Sequence, residues 1–227
     1  MATLECFKSV YKRRAITAII FVDMRDHAPQ TQLLTPSEIK ALCARYGFAP
    51  STMYGQHYLI TDRPIREMLT AATIEPSECV LEIGPGFGVL TLALADVALR
   101  VVSVEIEQTL RPYWNDVIKE HANIEIQYGN ALRVLPELCN TLGSYCVVAN
   151  IPYQITSELI RTLLEQSNRP RVIILMIQKE VAQRICSKPG QMSVLSVAVG
   201  YYAHAKIISS VPKGCFWPIP KVDSSVI

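Results

Sequence analysis

Asn150, Ile151, Pro152 and Tyr153 stand together after the apolar run Tyr145-Cys-Val-Val-Ala149, which reads as a buried strand ending at a proline turn. A strand that delivers an amide, a stiffened backbone and an exposed aromatic ring to one point suits a flat ring that carries an amine. The Asn150 oxygen can accept one exocyclic N–H, a backbone carbonyl can accept the second, and Tyr153 can stack on the ring face. The same four residues also read as a plain strand end with a capping Asn and a Pro turn. Their neighbours decide between the two.

Glu82-Ile-Gly84-Pro-Gly86-Phe-Gly88 leaves an earlier strand, Cys79 to Ile83, and opens a helix. Glycines there let the backbone turn sharply and approach a ligand closely. Val89 stands where a dinucleotide fingerprint needs glycine, and no Gly-Lys-Ser/Thr follows; neither an NAD nor a nucleoside triphosphate loop fits. What remains, Glu-x-Gly-x-Gly-x-Gly, is typical of S-adenosylmethionine sites. Glu105 ends the next strand, Val101 to Val104, where a carboxylate can accept from both hydroxyls of a ribose. Asn130 ends a third strand, Ile124 to Gln127, and can hydrogen-bond the cofactor's adenine amine. Four strand-end features in this order signal far more than any one alone.

These residues need a scaffold, and the chain supplies a βαβα rhythm from Pro76 onward. Strands at Cys79–Ile83, Val101–Val104, Ile124–Gln127, Tyr145–Ala149 and Val172–Ile177 alternate with helices at Val89–Ala95, Trp114–His121 and Ser157–Glu165. That order predicts an α/β fold with a mostly parallel, doubly wound sheet; joined to a glycine loop of the S-adenosylmethionine type, it reads as a Rossmann-like methyltransferase fold. A helix follows over Gln178–Ile185, and Val194 to Ile208 reads as helix then strand. Before the rhythm, Thr35-Pro-Ser-Glu38 begins a helix that Gly47 ends. Asp62 is expected to cap a helix reaching about Ala72. Residues 1–33 lack periodicity and read as a poorly ordered N-terminal extension, leaving 34–227 as one catalytic domain.

A chain of 227 residues, 50% hydrophobic, can bury the core of one such domain. No apolar run approaches the length of a bilayer span. Ala15-Ile-Thr-Ala-Ile-Ile-Phe-Val22 after Lys12-Arg-Arg14 faintly resembles a signal peptide. It is short, Asp23 interrupts it and no small-residue cleavage site follows, so a soluble cytoplasmic protein is expected. Seven cysteines without a CxxC pair and four dispersed histidines point to reduced thiols, with no zinc site or disulfide frame. Residues 75–125 carry nine acids against three bases, and residues 161–188 six bases against two acids. Such segregation suits a polyanion docking on one face. Lys179 and Arg184 read equally as an RNA-facing or a solvated helix face.

Gly55-Gln-His-Tyr-Leu59, Leu81-Glu-Ile-Gly-Pro-Gly-Phe-Gly88, Val104-Glu105, Asn150-Ile-Pro-Tyr153, Gln178-Lys-Glu-Val181 and Phe216-Trp-Pro-Ile-Pro-Lys-Val-Asp-Ser-Ser225 carry a resemblance. Together, from about residue 34 to the last, they resemble the ribosomal RNA adenine N6-dimethyltransferase family. The resemblance implies methyl transfer from S-adenosyl-L-methionine to two adjacent adenines of small-subunit ribosomal RNA, by a monomer acting on the immature small subunit without a metal. It places Gln56, His57, Leu59, Gly84, Gly86, Glu105, Asn130 and Asn150 against the cofactor. It places Asn150, Pro152, Tyr153 and Phe216 against the target base. Paired acceptors, the Asn150 side chain and the Ile151 or Pro152 carbonyl, would favour a pyramidal amine with its lone pair free, so that positioning and electrostatics supply the rate. Tyr153 and Phe216 would clamp the extruded base.

Three departures stand out. Asn130 occupies a position where the family usually has Asp; its oxygen can still accept, so weakened cofactor binding is expected at most. Tyr58 replaces the usual Phe. The small helical domain that follows Pro-Lys-Val-Asp-Ser in the family is expected to be missing. Two alternatives remain at this point: a large-subunit methyltransferase of the macrolide-resistance type, which shares Asn-Ile-Pro-Tyr but not the Phe216–Ser225 run, and a non-catalytic RNA-binding assembly factor on the same fold. DNA-adenine and protein-glutamine enzymes usually read Asx-Pro-Pro-Tyr, and Ile151 points away from them.

Overall fold

The strand that ends at Asn150 is β5 (Tyr145–Asn150), and it lies near the middle of a seven-stranded sheet ordered β4-β3-β2-β5-β6-β9-β7. In this computed structural model residues 33–50, 55–188 and 190–227 are described. All but the last residue of the expected N-terminal extension, 1–33, lies outside them. The other strands are β2 (Cys79–Ile83), β3 (Arg100–Glu105), β4 (Ile124–Tyr128), β6 (Ile173–Gln178), β7 (Ser209–Val211) and β9 (Ser224–Val226). Strands β4, β3, β2, β5 and β6 run parallel, whereas β9 is antiparallel to both β6 and β7. A separate two-stranded ribbon pairs β1 (Tyr58–Leu59) with β8 (Phe216–Trp217).

Residues along β2 and β5 are buried on both sides except Asn150, which is why they read as unbroken apolar runs rather than alternating ones. The pleat still sorts them. Leu81, Val147 and Ala149 pack toward α5 (Ala131–Thr141) and α6 (Thr156–Leu164) through Leu135, Cys139, Leu159 and Leu163. Val80, Cys146 and Val148 pack toward α2 (Arg63–Ala72) and α3 (Val89–Ala95) through Ile65, Met68, Leu90 and Leu94. A third cluster joins α1 (Pro36–Arg45) and α4 (Arg111–Val117) around Ile39, Phe87, Tyr113 and Trp114. Helices α7 (Lys179–Ile185) and α8 (Val194–Tyr202) complete the order.

Helix α1 starts at a full capping box between Thr35 and Glu38. Asp62 does not cap α2 as expected: its own backbone is already helical, so the carboxylate cannot reach back to the first N–H groups, and it pairs with Arg66 at 3.1 Å instead. The α4 helix begins at Arg111, three residues ahead of expectation, because Pro112 fits a first turn. Where the direction of strand succession reverses, between β2 and β5, the loops after the two strands diverge and leave a crevice at their carboxyl ends. Among the described residues no helix is long and apolar enough to cross a membrane.

Candidate active site

The crevice is a cleft of about 290 Å³ whose walls are the loops after β2, β3, β4 and β5 together with residues 55–59. It brings together Gln56, His57, Leu59, Gly84, Gly86, Glu105, Asn130, Asn150, Pro152 and Tyr153. Phe216 is the exception. Its pairing with Leu59 in the β1–β8 ribbon turns it into the core with Ile65 and Val211, where it is 1% exposed and lines no part of the cleft. The ring that stands by Tyr153 is His57, 5.9 Å between centroids. A larger hollow of about 1240 Å³ lies between β6 and residues 202–208. None of the motif residues borders it.

The glycine loop is held from below. Trp114 Nε1–H donates to the Gly86 carbonyl at 3.1 Å and the Tyr113 hydroxyl to the Phe87 carbonyl at 2.8 Å. Gly86 has φ +55°, and a Cβ there would sit 2.8 Å from the Tyr58 ring. Only glycine can hold this turn against that ring. The Tyr58 hydroxyl itself is buried with no hydrogen-bond partner among the described residues.

Glu105 ends β3 with 3% of its surface exposed. One carboxylate oxygen accepts the Gly86 N–H at 3.2 Å and the other the Glu107 N–H at 2.8 Å. Burial raises its pKa, and no cation pairs with it among the described residues. Each oxygen keeps a lone pair for a further donor, as a ribose diol would supply. Glu82, one strand away, is buried more deeply; both Thr91 and Ser103 donate to one of its oxygens, at 2.7 and 2.6 Å. Desolvation nevertheless pushes it up to about 7.

Asn150 shows the most directed geometry. Its Nδ2 donates to the His57 carbonyl at 3.2 Å, which fixes the amide's rotation and leaves Oδ1 as a free acceptor. His57 is fixed in turn, because a carbonyl only accepts: Nδ1–H donates to Pro218 O at 2.7 Å. The Pro152 carbonyl is engaged within its own turn by Ile155 N–H and the Thr156 hydroxyl, so of the two backbone acceptors expected, Ile151 is the one left open. The Tyr153 hydroxyl meets Ser224 Oγ at 2.9 Å, and Ser224 is fully buried on β9. Asn130 borders the cleft and also caps a helix, its oxygen keeping a second lone pair for a further donor. Its Oδ1 accepts the Leu132 N–H at 3.0 Å as the N-cap of α5.

Sequence reasoning missed the supports. Trp114, Tyr113 and Ser224 hold the site from other elements, and the only signal for them was the Asp223-Ser224 pair inside the Phe216–Ser225 run. An adenosyl group with an amino-acid tail fits what is present: glycine backbone that admits a close approach, a buried acid with acceptor capacity to spare, and a hollow of the right scale.

A family model described as "Ribosomal RNA adenine dimethylase" matches residues 47–227. Ribosomal RNA small subunit methyltransferase A of Dehalococcoides mccartyi is 35% identical over 208 residues, 90% of this chain and 72% of that protein. The protein of the same name from Geobacillus kaustophilus is 38% identical, over 86% of this chain and 69% of its own length. Among solved structures, a dimethyladenosine transferase from Plasmodium falciparum superposes with a TM-score of 0.66 at 30% identity, covering 75% of this chain and 62% of that one. The 23S rRNA methyltransferase ErmE gives the same TM-score and identity over 74% of this chain and 67% of its own. The chain thus spans less than two thirds of the Plasmodium protein and about 70% of the two bacterial ones.

Proposed function

The chain belongs to the ribosomal RNA adenine dimethylase family, and on that footing we propose that it methylates the N6 amine of two adjacent adenines in small-subunit ribosomal RNA. Its methyl donor is S-adenosyl-L-methionine. The observation that carries the reading is the Asn150 amide, whose rotation is held by the His57 carbonyl so that its oxygen is left to accept.

The glycine loop, Glu105 and residues 56–59 would hold the donor; when bound, its sulfonium supplies the methyl group. The remaining work falls to the chain. Asn150 Oδ1 and the Ile151 carbonyl accept the two N–H bonds of the target amine, turning its lone pair out of conjugation with the ring. Both acceptors are preset, so little reorganisation is needed as charge develops on nitrogen. Tyr153, anchored at its hydroxyl by Ser224, offers its face to the extruded base, a stacking contribution of about 1–3 kcal/mol. The His57 ring borders the same site, 5.9 Å from the Tyr153 ring between centroids.

The name shared by the bacterial relatives favours the small subunit as substrate. The equal likeness of the fold to ErmE keeps large-subunit RNA as the rival. The same reading includes a monomer working in the cytoplasm on immature subunits. Incubation with labelled donor and either undermodified small subunits or large-subunit RNA, followed by nucleoside mass spectrometry, tests it. Dimethyladenosine in small-subunit RNA is expected. Label in large-subunit RNA alone, or no methylated adenosine in either, would refute it.

A further inference from the structure

We propose that the Gln154 side-chain amide reads the target base, its N–H donating to a ring nitrogen of the adenine beside the amine that Asn150 and Ile151 hold. The inference rests on the methyl-transfer reading of the cleft and adds to it a contact that selects the base. Gln154 follows Tyr153 in the single 3₁₀ turn Tyr153–Ile155 and borders the cleft. Its side chain lies against Gly55: a Cβ on that glycine would sit 2.6 Å from Oε1 and 3.0 Å from Nε2. Gly55 has φ +59°, so the chain turns there with bare backbone and leaves room for the amide.

Shape therefore sets the position of this amide while its polar atoms stay unspent. No hydrogen bond engages Oε1 or Nε2 among the described residues, and the residue is exposed. The turn that carries it is closed by the Ile155 N–H on the Pro152 carbonyl at 3.3 Å and by the Thr156 hydroxyl on the Tyr153 carbonyl at 3.2 Å. An adenine whose amine meets Asn150 and Ile151, and whose face rests on Tyr153, keeps two ring acceptors beside that amine, N1 on one edge and N7 on the other. Gln154 brings two N–H donors to the same rim, from the same loop. Uracil has no exocyclic amine at all, and the amine of guanine has a ring N–H on one side, which would face the donor instead of accepting from it.

A short single-stranded RNA with two adjacent adenosines, and the same RNA with 1-deazaadenosine or 7-deazaadenosine in their place, test the contact. Each RNA is titrated against the full chain saturated with S-adenosylhomocysteine, so that no turnover enters, and single-turnover transfer to the adenosine RNA is read beside it. The natural chain should bind one of the two deaza RNAs about fivefold more weakly than the adenosine RNA, as the loss of one neutral hydrogen bond predicts. Gln154→Leu should bind the adenosine RNA about fivefold more weakly and lose nothing further on that deaza RNA. Its melting temperature and its affinity for adenosylhomocysteine should match the natural chain's, since no described residue hydrogen-bonds to the amide. A natural chain indifferent to both deaza substitutions would overturn the proposal. So would a Gln154→Leu chain that binds the adenosine RNA as the natural one does, or that weakens equally on all three RNAs. Transfer by the natural chain alongside any of these results leaves the methyl-transfer reading standing and removes this contact alone; neither transfer to nor binding of any of the RNAs removes both.

Discussion

Replacing Asn150 by alanine removes two interactions that differ in kind, and the structure separates their sizes. The first is the bond from Nδ2 to the His57 carbonyl, 3.2 Å long in a half-buried setting. Its loss costs about 1 kcal/mol of stability, which for a domain of this size lowers the melting temperature by about 2–4 °C. The second is the Oδ1 acceptor, which has no hydrogen-bond partner among the described residues and acts on the target amine only as it reacts. Loss of one such preset group typically costs about a hundred- to a thousandfold in rate, roughly 3–4 kcal/mol of barrier. Single-turnover methyl transfer to undermodified small subunits reads the second effect, thermal melting the first, and titration with S-adenosylhomocysteine tests whether the donor site survives. Cofactor affinity should change far less than rate. A rate within about tenfold of the natural chain's, or affinity that falls in step with it, would refute the assignment of Oδ1 to the amine.

Tyr153→Ala should abolish transfer and leave adenosylhomocysteine binding nearly intact, while Tyr153→Phe, which loses only the Ser224 contact, should retain most activity; equal loss of rate and affinity in the alanine variant would make Tyr153 merely structural. Glu82 holds its proton up to about pH 7, against an ordinary value of 4.5. Between those values the folded protein binds a proton that the unfolded chain has released, so stability should be greatest below the window and decline as pH rises through it. Glu82→Gln should flatten that decline in urea melts followed against pH, and an unchanged slope would contradict the assignment. Arg171 pairs with Glu78 at 2.7 Å and also donates to the Ala72 and Thr73 carbonyls at the end of α2. Arg171→Met leaves a nearly buried carboxylate alone and should cost about 2 kcal/mol, less than a fully buried pair because the Arg171 side chain is 38% exposed. Denaturant titration reads it. Since the Arg171 hydrogen bond holds Glu78 below the usual carboxylate range, the natural chain should lose this stability as pH falls through that range, and the variant should have little left to lose.

The central strands were legible because they are buried on both faces and therefore spell themselves as apolar runs; β2 and α3 fall on the expected residues, and β6 within one. Helix α5 was not read at all. Pro136 lies inside it, and its start depends on a cap by Asn130, a residue read only for its part in the site. The β1–β8 ribbon could not be foreseen either, since two-residue strands have no period and their partners lie far apart in sequence. That gap explains why the burial of Phe216 was not foreseen: a residue's side of a ribbon is set by register, and one step of register moves it from cleft to core. Strand-end residues of the parallel sheet fared better because topology alone sends them to one edge. Of the long-range supports, Trp114 under the glycine loop comes from an element whose own sequence gives no hint of the contact, and Ser224 under Tyr153 is signalled only by its place in the Phe216–Ser225 run.

A crystal structure of the chain with S-adenosylhomocysteine, at a resolution that separates amide oxygen from nitrogen by their hydrogen-bond partners, addresses the central claim most directly. The ligand should lie between the loop at Gly84–Gly86 and the Glu105 carboxylate, with the ribose hydroxyls on that acid and Asn150 Oδ1 facing the sulfur side of the cleft. Density in the hollow beside β6 instead, or an Asn150 amide turned so that its nitrogen faces the ligand, would contradict it.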